Sequence, residues 1–101
     1  MKIPKHIKTQ GRKWVKQVTA EFEFAEHELE TVFQAAVCLD RIEQARDEIA
    51  VHGILTVDRH GQLKPNPAVV IERDCKVLFA RLCRELELFM GKNDPRIPRK
   101  E

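Results

Sequence analysis

Six cations and no acid occupy the first twenty residues: Lys2, Lys5, Lys8, Arg12, Lys13 and Lys16. The next ten hold Glu21, Glu23, Glu26, Glu28 and Glu30 and no base, so a segment of charge +6 runs directly into one of −5. The last ten add Lys92, Arg96, Arg99 and Lys100 against Asp94 and Glu101. Clustered ammonium and guanidinium groups neutralise phosphates with little regard to base sequence. Lys5, Lys8, Arg12, Lys13, Lys16, Lys92, Arg96, Arg99 and Lys100 are therefore the candidate DNA contacts. The competing reading is a basic surface that pairs with the acidic segment following it.

Catalytic chemistry finds little to work with. The chain has no Ser, which removes a serine nucleophile. Its four glycines, at 11, 53, 61 and 91, fall at element boundaries rather than in a phosphate-cradling loop. Cys38, Cys75 and Cys83 show no CxxC pair and no zinc-ligand spacing with His. Their apolar neighbours predict burial instead. Carboxylates two residues apart on a helix diverge, so the Glu21–Glu30 run reads as a solvated or ion-paired face rather than a metal site. His52 and His60 have no further ligands beside them. The expectation is a protein that is not an enzyme and uses no cofactor or metal.

A length of 101 residues allows one domain. A content of 43% apolar and 34% charged residues suits a globular chain with amphipathic parts. The longest apolar run, Ala35 to Leu39, is far short of the roughly 20 residues a bilayer span needs. No secretory h-region follows the first lysines, so a cytoplasmic protein without membrane contact is expected.

The expected fold is mainly α: two helices, the second long, then a short β-hairpin and a third helix. An extended basic lead-in covers residues 1–8, with Pro4 disfavouring helix before it. The single helical domain covers 9–91, and a flexible basic tail covers 92–101. Thr9 is the expected N-cap of a first helix reaching about Phe22, with Trp14, Val18 and Phe22 every four residues. The second helix is expected from Ala25 to His52, where Leu29, Val32, Phe33, Ala36, Leu39, Ile42, Ala45 and Ile49 recur at steps of three and four. Gly53 suits its C-terminal end.

Ile54 to Val57 reads as a strand, Asp58 to Gly61 as a turn, and Gln62 to Lys64 as the return, placing a hairpin at about 54–64. A lone hairpin is marginal in water, so this one must pack on helices or on another subunit. Asn66 as N-cap and Pro67 at the first helical position open a third helix expected to run to about Met90, with Gly91 ending it. Its inner face is expected to be Ile71, Cys75, Leu78, Leu82, Leu86 and Phe89. Val37, Val70, Val77 and Phe79 lie off the main stripes and, with Phe33, are the candidate oligomer interface.

The order of these features resembles the P27-type small subunit of phage terminase over about residues 3 to 88. The resemblance rests on Ile3-Pro4-Lys5-His6-Ile7, on Lys13-Trp14-Val15, on the long helix ending in His52-Gly53-Ile54, and above all on the run from Gly61 to Asp74. The later Arg81-Leu82-Cys83-Arg84-Glu85-Leu86 also matches in order and spacing. Members commonly continue into a Leu-Gly-Leu-Thr-Pro-like segment where this chain reads Leu86-Glu87-Leu88-Phe89-Met90-Gly91. The resemblance implies a non-catalytic subunit that forms a ring, binds double-stranded viral DNA and recruits the large ATPase and nuclease subunit for genome packaging. The residues alone leave open a second reading, a small helical DNA-binding regulator acting as a dimer.

Overall fold

A computed structural model describes residues 1–88. The expectations for Phe89, Met90, Gly91 and the basic tail at 92–101 lie outside the described residues.

The chain is mainly helical, in the expected order. Helix α1 spans Thr9–Glu21, α2 spans Glu26–His52, strands β1 and β2 span Leu55–Val57 and Leu63–Pro65, and α3 spans Pro67–Glu85. The two strands pair antiparallel, with Leu55 opposite Pro65 and Val57 opposite Leu63. At 1.5 Å per residue the 27 residues of α2 reach roughly 40 Å. Helix α1 covers one half of α2, and α3 runs back along α2, so three helices pack at one end and two at the other. The outcome is an elongated body of 58 × 28 × 20 Å, whose radius of gyration of 16.7 Å exceeds the roughly 13 Å of a compact chain this long.

The core sits at the three-helix end. Ile7, Val15, Val18, Val32, Ala36 and Leu86 form one buried cluster, and Ala35, Cys38 and Leu82 form a second. Trp14 packs against both and meets Phe79 edge to face at 5.4 Å, the favoured geometry for two aromatic rings. Towards the other end, a 3.0 Å ion pair between Arg46 and Glu72 ties α2 to α3.

Four features differ from the sequence expectation. The lead-in is not simply extended: Ile7 donates its N–H to the Pro4 carbonyl in a turn, and its side chain is fully buried. Thr9 is not the cap of α1; Lys8 holds that position, without a side-chain cap bond of its own. The cap comes from α2. The buried Asp40 carboxylate accepts the N–H groups of Lys8 at 2.6 Å and Gly11 at 2.8 Å, supplying the negative end that the basic first turn lacks.

The third difference is the end of α3, which stops at Glu85 rather than about Met90. Glu87 takes a φ of 61°, Leu88 N–H bonds to the Cys83 carbonyl, and Glu87 N–H bonds to Arg84. These two bonds are a Schellman ending, closed by Leu88 against the core. The fourth is the inner face of α3. Ala68, Leu82, Cys83 and Leu86 are buried, Cys75 is half-buried, and Ile71 and Leu78 face outward.

Candidate functional site

The cations of the lead-in and α1 project into solvent. Lys2, Lys5, Lys8, Lys13 and Lys16 are all exposed, and among the described residues none of them takes part in an ion pair. Among the described residues no ion pair joins the basic segment to the acidic one, so neutralisation of the first by the second is not what the fold builds. Arg12 stands apart: it is half-buried, and its guanidinium donates to the Pro4 carbonyl at 3.0 Å, bracing the lead-in turn. It is a structural residue first.

The acidic segment serves the fold locally. Glu28 accepts the Ala25 N–H at 2.8 Å, and Glu26 and Glu28 lie in the first turn of α2, where negative charge opposes the helix dipole favourably. Glu23, Glu28, Glu85 and Glu87 surround a surface cleft with Phe22, Phe24 and Leu86. That end of the body repels a polyanion. The N-terminal half of α1, two to three turns back along the helix at about 3.6 residues per turn, attracts one.

The interface candidates separate into two groups. Phe33 and Val37 are half-buried against the main core and line a shallow cleft with Pro4 and His6. Phe79 is engaged with Trp14 inside the subunit. Val70 and Val77 are exposed, Val77 at 64%. The fold leaves these two in solvent with Val51, and also with Ile71, Leu78 and the hairpin residues Ile54, Leu55, Val57 and Leu63, which sequence reasoning had not grouped with them. The hairpin does not pack its side chains on the helices. Its signal in the sequence was present: apolar residues on both faces of a two-stranded unit have nothing within the chain to cover them.

Asn66 holds that outer end in shape. Its side chain accepts the Ala68 N–H at 3.0 Å as the cap of α3 and donates to the Gly53 carbonyl at 2.8 Å, while its own N–H bonds to Ile54. Asp58 closes the hairpin turn by accepting the N–H groups of His60 and Gln62, and Lys64 pairs with it at 3.6 Å.

The cysteines lie along the α2–α3 contact. Burial, with Cys38 nearby, pushes the Cys83 thiol up to about 11, and burial together with Cys75 also raises Cys38. Such thiols are poor nucleophiles at neutral pH. Among the described residues no cluster of three or more His, Cys, Asp or Glu side chains is arranged to hold a metal ion, and no helix is long and apolar enough to cross a membrane. No family model, curated protein or solved structure matches the chain.

Proposed function

We propose that the chain is a non-catalytic DNA-binding subunit that acts as an assembly, in the manner of a phage terminase small subunit. In that role it forms a ring, binds double-stranded viral DNA through the lead-in and α1, and recruits the large ATPase and nuclease subunit in the cytoplasm of the host. The observation that carries the reading is the separation of two unsatisfied surfaces. Unpaired lysines line the lead-in and α1, beside the first half of α2, and uncovered apolar side chains crowd the hairpin end of the body. A surface of the first kind suits a phosphate backbone, and one of the second kind suits protein.

The resemblance over residues 3 to 88 supplies the packaging context. A dimeric DNA-binding regulator is the second reading, favoured by the order of charges along α3 considered below. Fluorescence anisotropy with a labelled DNA duplex tests the shared part. Binding at low salt that weakens steeply as salt rises is the expected result, and no binding at low salt contradicts it. Stimulation of a large subunit's DNA-dependent ATPase by the chain then separates the packaging role from the regulator.

A further inference from the structure

The outer face of α3 carries a pattern that its contact with α2 does not use. Val70, Asp74, Val77 and Arg81 step by four, three and four, the spacing of a helix–helix seam, and Ile71 and Leu78 flank them. All six are exposed. At the centre of the strip are Val77 and Leu78; Asp74 lies one turn before them and Arg81 one turn after. Among the described residues Asp74 has only its neighbour Arg73 as an ion-pair partner, at 3.5 Å and with both side chains in water, a contact of little energy. Arg81 makes no ion pair among the described residues.

We propose that this strip is a two-fold, antiparallel contact between two copies of the chain. An axis at right angles to α3 near Val77 and Leu78 buries the apolar centre of each copy on the other. The same axis brings Asp74 of each copy towards Arg81 of the other, so the surface is complementary to itself. Parallel pairing instead sets Asp74 against Asp74 and Arg81 against Arg81, which like-charge repulsion disfavours. A stable interface needs roughly 800 Å² from each partner, more than one helix strip provides. The exposed Ile54, Leu55, Val57 and Leu63 of the hairpin, next to the start of α3, supply further apolar area. Each copy makes one such contact, so a closed ring that uses it has an even number of subunits. The contact stands without the DNA-binding reading.

The test is light scattering of the full chain across micromolar concentrations, with D74R, R81D and the double variant D74R/R81D. Circular dichroism confirms that each variant keeps its helix content, since both positions are exposed. The wild-type chain is expected to self-associate. Each single reversal is expected to raise the dissociation constant at least about tenfold, and the double variant to restore it. A wild-type monomer, single variants that associate like the wild type, or a double variant as weak as the singles would each overturn the proposal. Loss of DNA binding with the dimer intact would count against the functional reading alone.

Discussion

A methyl group at Gly11 would lie 2.6 Å from the Ile7 side chain, 2.7 Å from the Ala36 carbonyl oxygen and 2.9 Å from the Asp40 carboxylate. Within a helix, Gly to Ala ordinarily gains about 1 kcal/mol. Here the crowding atoms include a backbone carbonyl inside α2, which cannot step aside cheaply, and overpacking costs about 1–3 kcal/mol. The clash wins, so Gly11→Ala is expected to lower the Tm; a Tm equal to or above that of the wild type would contradict the close approach of α1 to α2. Cys83 carries a pH prediction. Its thiol ionises at about 11 in the fold against an ordinary 9.0, so the fold favours the protonated form. That contribution is whole below pH 9 and is lost as pH rises from 9 to 11. Urea titrations are expected to show a steeper fall in stability over that window for the wild type than for Cys83→Ala. Parallel curves would contradict it.

At the scale of elements, Asn66 is the joint between the hairpin and α3. Asn66→Ala removes a cap worth about 1 kcal/mol and leaves the Gly53 carbonyl without its donor, so a loss of about 1–3 kcal/mol is expected in urea unfolding. Asn66→Asp keeps the acceptor for Ala68 and is expected to lose less. An unchanged midpoint in the Ala variant would show that the joint contributes nothing.

The spans of α1, α2 and the hairpin were legible because three- and four-residue steps and the Pro65-Asn66-Pro67 boundary are local signals. The cap of α1 was not, because Asp40 reaches it from 32 positions along the chain. Nor was the end of α3, where burial of Leu88 draws Glu87 into a left-handed turn that sequence alone assigns to glycine. The inner face of α3 was misread for a different reason. Its two apolar stripes look alike by spacing, and only the seating of Phe79 on Trp14 and of Leu82 on Ala35 and Cys38 chooses between them.

Over the whole molecule, the long α2 gives the chain its shape and its division of labour. One half closes a core around Ile7 and Val15 beneath the lysine-bearing lead-in and α1; the other end holds a hairpin and the outer strip of α3 open to solvent. The candidate DNA contacts were readable as a charge run, but their number was not. Arg12 braces the Pro4 carbonyl, which leaves Lys5, Lys8, Lys13 and Lys16 as the free cations of that group among the described residues. The salt dependence of duplex affinity, compared between the wild type and a variant with these four lysines changed to Gln, tests the central claim most directly. Each phosphate contact adds roughly 0.9 to the slope of log affinity against log salt, so the variant's slope is predicted to be shallower by about 3 to 4. An unchanged slope would contradict it.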